Sequence, residues 1–187
     1  AGPVLDAAGS TVYAYKLTPS NEAAWIAPLM VKAPEQQALA TVLDPRFDPA
    51  RIAIIDTSAT QVQASTTQAL PPAVTTKVAV SMPLPGAYDI TLDQPAAAGQ
   101  ALVVSENYFP GWQATADGKP AAVARTDYNL IGIALPAGAR TIQLRFQDAA
   151  YVKGKRLTLV AILLGVVLLA AGIIADRRRS VSLSTIA

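Results

Sequence analysis

The 187 residues suffice for one domain or two small ones. The absence of Cys and His removes disulfides, thiol nucleophiles, imidazole bases and most zinc sites. The net charge of +2 hides a division: residues 1–150 hold nine Lys/Arg against twelve Asp/Glu, whereas residues 151–187 hold six basic and one acidic. A mildly acidic body argues against nucleic acid as a partner, because that partner demands a basic face.

Along the chain, Ser10–Leu17 alternates β-branched and aromatic residues, which predicts a strand. Trp25–Val31 predicts a second, and Pro28 confines it to a sheet edge or a bulge. Pro34-Glu35 opens a short helix, Glu35–Leu43, with an acid in its first turn. Asp44-Pro45 and Asp48-Pro49 punctuate the following loop, and Arg51–Asp56 is the next strand. Thr57–Thr76 carries no charge and reads as a polar linker or long loop. Strands are then expected at Lys77–Met82, Ala87–Leu92, Ala101–Ser105, Trp112–Ala116, Ala121–Arg125, Leu130–Leu135 and Thr141–Phe146. Short strands at this spacing, separated by Gly and Pro turns, predict a mainly β fold: an antiparallel, jelly-roll-like β-sandwich with one short helix. Asp117-Gly118 supplies the positive φ that a tight hairpin needs, and Pro136-Ala137-Gly138 closes the last hairpin.

Leu157–Ala175 is nineteen residues long with Thr158 as its only polar side chain. At the helical rise it spans about 28 Å, close to the hydrocarbon thickness of a bilayer. Lys153, Lys155 and Arg156 precede it, and Arg177, Arg178 and Arg179 follow. Such cations reach the headgroups and pin a transmembrane helix. Three cations face three, so counting alone does not orient it. The consecutive Arg triplet and short tail resemble a stop-transfer signal. The expected arrangement is an extracytoplasmic domain (1–150), a basic juxtamembrane stretch (151–156), a single span (157–175) and a cytoplasmic tail (176–187) in a bacterial inner membrane. The chain begins Ala1-Gly2-Pro3, without Met or signal peptide. A domain ahead of its only helix needs translocation to start upstream, so the expectation is a chain cut from a longer precursor. Ala161, Gly165 and Gly172 form a small-residue stripe that would admit a second helix, although Ala-rich segments also produce such spacing by chance.

The most distinctive run is SENYFPGWQATADGKP, Ser105–Pro120, followed by LPAGARTIQLRF, Leu135–Phe146. It resembles the C-terminal extracytoplasmic domain and last helix of YfhO-type membrane proteins. Glu106, Phe109, Pro110, Gly111, Trp112, Asp117, Gly118, Pro136, Ala137 and Gly138 carry the resemblance, with Lys153–Ile174 as the final helix. Val12–Tyr15 and Asp44–Pro49 fit as well. The resemblance implies a relation to multi-span glycosyltransferases that use lipid-linked sugars. It also implies that the catalytic carboxylate lies in helices ahead of this domain, which this sequence does not contain.

The residues have readings of their own. Pro110-Gly111 makes a turn that delivers Trp112 to a strand, where it is either a core anchor or, with Tyr108 and Tyr128, an aromatic platform for sugar. Glu106 and Asp117 are either an acid/base pair or acceptors for turn backbone. Asp44 and Asp48 are too few carboxylates for a Ca²⁺ site, and Asx-turns account for them. No catalytic, cofactor or metal site is therefore expected. Three functions follow. The favoured one is an accessory subunit that docks on a larger membrane assembly, such as a respiratory or light-harvesting complex, through Tyr108, Tyr128 and the Ala161/Gly165/Gly172 stripe. The others are a YfhO-like glycosyltransferase fragment and a carbohydrate-binding module making glycan contact. The expected partners are the lipid bilayer and other membrane subunits.

Overall fold

The computed structural model describes residues 3–5, 11–13, 22–65 and 69–184. The chain divides into two units, residues 1–146 and 147–187. In the first, β1 (Pro3–Leu5) and β2 (Thr11–Tyr13) form a small antiparallel ribbon. The rest of the strand expected over Ser10–Leu17 lies outside the described residues.

The other strands are β3 (Ala24–Ala27), β4 (Leu29–Ala33), β5 (Ile52–Asp56), β6 (Val78–Leu84), β7 (Ala87–Leu92), β8 (Ala101–Asn107), β9 (Trp112–Ala116), β10 (Lys119–Ala121), β11 (Val123–Thr126), β12 (Leu130–Ala134) and β13 (Thr141–Phe146). They build a five-stranded sheet, β10-β9-β13-β7-β6, and a six-stranded sheet, β3-β8-β12-β11-β5-β4. Between the sheets lies the main core, where Ile26, Leu102, Val104, Ile131 and Ile133 of one layer meet Ile90, Ile142 and Leu144 of the other. The expected β-sandwich is what the chain forms. Asp117 (φ 47°) and Gly118 (φ 77°) make the two-residue turn between β9 and β10, as their residue types require.

Three features depart from the simple sandwich. Helix α1 (Glu35–Val42) is the crossover between β4 and β5, which pair in parallel from Leu29↔Ile52 to Ala33↔Asp56. Parallel neighbours need such a long connection, and here the helix supplies it. Pro28 breaks the strand expected over Trp25–Val31 into β3 and β4, which occupy opposite ends of the six-stranded order. With one residue between them, the sheet must curl until this kinked segment borders both β8 and β5. Its inner face is a second core, Ala27, Met30, Ala53, Ile55, Ala59, Val62, Ala101, Val103 and Ala124. Ala predominates because a tightly curled sheet leaves little room inside. Gly132 belongs to the same economy of space: a Cβ there would lie 2.0 Å from the Thr126 hydroxyl. Finally, Ala122 separates β10 from β11 and carries the chain from one sheet to the other, a corner of the kind that joins packed sheets.

The described residues of Thr57–Thr76, expected as a polar linker or long loop, are fastened to the domain. Ala59 and Val62 are buried, the Ser65 hydroxyl accepts from the Met30 amide at 3.0 Å, and Arg51 donates to the Leu70 and Pro71 carbonyls. Small apolar residues inside this Ser/Thr-rich run provide the attachment, since the curled sheet needs residues of that size.

The second unit is helix α2 (Ala149–Ser184). Within it, Ala150–Ile173 is long and apolar enough to cross a membrane and is not buried. The helix is longer than the expected span, taking in the basic juxtamembrane stretch and much of the tail. Lys and Arg are good helix formers, so their charge does not end it.

Candidate functional site

Residues 105–112 lie at the end of the sandwich where β8 finishes and β9 begins. Glu106, on β8, accepts a hydrogen bond from the Tyr88 hydroxyl at 2.6 Å and another from the Asn107 amide at 3.0 Å. The hydrogen bond to Glu106, reinforced by partial burial, pushes the Tyr88 phenol up to about 12. The Asn129 side chain donates to Asn107, and the Tyr108 amide donates to the Asn129 carbonyl, which ties this turn to the one before β12. Gly111, at φ 120°, takes a backbone conformation open to glycine and turns the chain into Trp112.

Trp112 is half-buried at the margin of the main core. Its ring meets Tyr88 at 5.9 Å and Phe146 edge-on at 5.2 Å, and its indole N–H reaches the Asn107 carbonyl at 3.3 Å. Phe146 stands opposite Trp112 in the ladder, and Arg145 beside it pairs with Asp89. The platform of Tyr108, Trp112 and Tyr128 does not form as one surface. Tyr108 packs against the main core, Trp112 stacks on Tyr88 and Phe146, and Tyr128 lines a separate depression.

Glu106 and Asp117 do not face each other as an acid/base pair. Asp117 accepts from the Thr141 amide at 2.9 Å, the Thr141 hydroxyl at 2.7 Å and the Arg140 amide at 3.3 Å. These bonds hold its carboxyl below the usual carboxylate range, Thr141 contributing most. Asp44 and Asp48 each accept a backbone N–H two residues on, from Arg46 and Ala50, in Asx-turns. On α2, Gly165 and Gly172 face open space, and Ala161 is exposed with them.

A second cluster has no counterpart in the sequence reading. Arg125 donates to Asp56 at 2.6 Å and to Glu35 at 3.1 Å, joining β11, β5 and α1. Asp56 is pulled down to about 2, first by Ser58, with Arg125 adding its charge. Glu35, Ala38, Ile54, Asp56, Arg125 and Tyr128 line a depression with no room for a water molecule. Next to it, Asp127 (φ 46°) and Tyr128 (φ 75°) occupy the left-handed region in the turn between β11 and β12. Asp127 is buried. Its Oδ1 accepts from the Ile54 amide at 2.8 Å, while Oδ2 has no partner among the described residues. Burial pushes its carboxyl up to about 6, against the pull of the Ile54 N–H. Since β5 and β11 share only the Thr126↔Ile55 pair, Asp127 stands in for the next acceptor of their ladder. A polar Asp-Tyr-Asn turn gives no sign of this in the sequence.

The family model of YfhO, a bacterial membrane protein, matches residues 46–158, from the loop after α1 through β13 and into α2. The chain belongs to the YfhO family. Curated proteins and solved structures provide no match. The matched stretch includes the YfhO-like turn Glu106–Trp112, the Asp117-Gly118 hairpin and the last strand, but not β3, β4 or α1. This YfhO chain is thus a membrane protein with, among the described residues, one candidate span near its C-terminus.

Proposed function

We propose that this chain is the contact module of a YfhO-type membrane protein: a β-sandwich without chemistry of its own, held at the bacterial inner membrane by α2. The domain lies outside the cytoplasm and the Arg177–Arg179 tail inside it. There it holds a cell-envelope sugar polymer beside the multi-span catalytic part, on the same polypeptide or a companion one. The observation that carries this reading is the family match, which runs continuously from the sandwich into the apolar helix. The engagement of the motif's carboxylates supports it: Glu106 is bound to Tyr88 and Asp117 to Thr141, so neither is poised to transfer a proton.

Purification from native membranes tests the proposal. Co-isolation of multi-span YfhO-type helices with envelope glycan is the expected result. Recovery within an assembly of unrelated subunits, without glycan, would overturn it in favour of an accessory docking subunit.

A further inference from the structure

Seven large apolar side chains are exposed among the described residues of the β domain; Leu43 follows α1, Leu70 lies in the loop before β6 and Met82 is on β6, and the other four share a place. Leu84 (67% exposed), Phe109 (58%), Phe146 (41%) and Tyr128 (39%) all lie at one end of the sandwich. The ladders place them there. Leu84 pairs with Ala87, Ala87 with Arg145, Phe146 with Trp112, and Leu130, next after the Tyr128 turn, with Asn107. Phe109 sits in the loop between Asn107 and Trp112. Gly86 belongs to the same rim, its carbonyl accepting from the Phe146 amide at 2.8 Å. The turns at the other end are Asp93-Gln94, Asp117-Gly118 and Pro136-Ala137-Gly138, which present carboxylates, an amide and backbone. Four of the exposed large apolar side chains thus share one end of the domain, and none lies in these turns of the other.

We infer that the apolar end, Leu84, Phe109, Tyr128 and Phe146, rests in the interfacial layer of the lipid bilayer. What commits it to lipid is the course of the chain. Phe146 is the last residue of the last strand, so the chain leaves the domain from this end, and only Gln147 and Asp148 precede a helix with a membrane-crossing stretch. Lys153, Lys155 and Arg156 follow within that helix and suit an anionic headgroup layer. Exposed Phe and Leu beside Tyr and Trp match the headgroup boundary, where aromatic rings with one polar edge are favoured. An exposed apolar cluster of this kind marks an interaction surface. Seating this end in the interface would fix the tilt of the domain. The inference needs the membrane anchor but not the sugar-polymer reading.

The chain has no Cys, so single cysteines can be introduced without background. Leu84→Cys, Phe109→Cys, Ala98→Cys and Lys119→Cys would each carry a nitroxide on the full chain in nanodiscs of phosphatidylcholine and phosphatidylglycerol. All four positions are exposed, so the labels leave the core intact. Labels at 84 and 109 are expected to collide more with dissolved oxygen than with a water-soluble nickel chelate, and labels at 98 and 119 the reverse. Nickel accessibility at 84 and 109 equal to that at 98 and 119 would overturn the inference. So would shielding from both reagents, which would mean that protein rather than lipid covers this end.

Discussion

Replacing Asp127 by Asn should change how the stability of the domain depends on pH. In the folded chain the carboxyl is buried and protonates near 6, whereas in the unfolded chain it protonates near 3.8. Below 3.8 both states hold the proton and the group contributes nothing to the pH dependence. Between 3.8 and 6 the unfolded chain releases its proton while the folded chain keeps it, so stability falls as pH rises. Above 6 both are ionised and the full cost of the buried charge is present, about 3 kcal/mol at 1.36 kcal/mol per tenfold step. Asn keeps an oxygen for the Ile54 amide but cannot ionise. It also buries an NH₂ where Oδ2 has no partner among the described residues, at a pH-independent cost of about 1–3 kcal/mol. The quantity to read is therefore the difference between the two proteins as pH changes. Urea unfolding of the full chain in micelles, followed by Trp fluorescence from pH 4 to 7.5, should show Asp127→Asn gaining about 2–3 kcal/mol relative to wild type across the range. A difference that stays flat would refute the reasoning, because it would mean that Asp127 ionises in the fold as easily as in the open chain.

Other outcomes follow from the same packing. Asp56, held down to about 2, contributes stability that is present above 3.8 and lost as pH falls toward 2, so Asp56→Asn should flatten the acid limb when the titration is extended down to about pH 2. Trp112→Ala should cost about 2–3 kcal/mol, below the ~3–5 of a fully buried ring, because Trp112 is half-exposed yet contacts Tyr88 and Phe146; an unchanged melting temperature would make it a surface platform after all. Gly132→Ala should cost at least about 1–3 kcal/mol through its clash with the buried Thr126, and Thr126→Ser, which keeps the hydroxyl, should not relieve it. Glu106→Gln should let Tyr88 ionise closer to 10, read from the tyrosine ring signals by NMR; an unmoved titration would place the cause in burial rather than in Glu106.

Local chemistry made much of this fold legible. Asp117-Gly118 and Pro136-Ala137-Gly138 announce their turns, and the alternation in Ala87–Leu92 and Thr141–Phe146 announces strands that the structure confirms. What the sequence hides is pairing at a distance. Arg125 finds Asp56 and Glu35 across 69 and 90 residues, and nothing local to any of them marks the ion pair. The parallel β4–β5 pair was hidden for the same reason: Pro28 looks like an interruption of one edge strand, and only closure of the curled sheet shows that it divides two. Asp127 is the sharpest case. Its neighbours in sequence spell an ordinary polar turn, and only the lone Thr126↔Ile55 pair explains why a carboxylate is drawn in to complete the ladder.

The central claim, a domain outside the cytoplasm tethered by α2, can be tested with one labelling experiment on intact spheroplasts. Lys119→Cys and Ser182→Cys would be made separately in the full chain, which has no other thiol, and treated with a membrane-impermeant maleimide. The account expects label at 119 and none at 182 until the membrane is permeabilised. Label at 182 with 119 protected would place the sandwich in the cytoplasm and contradict it.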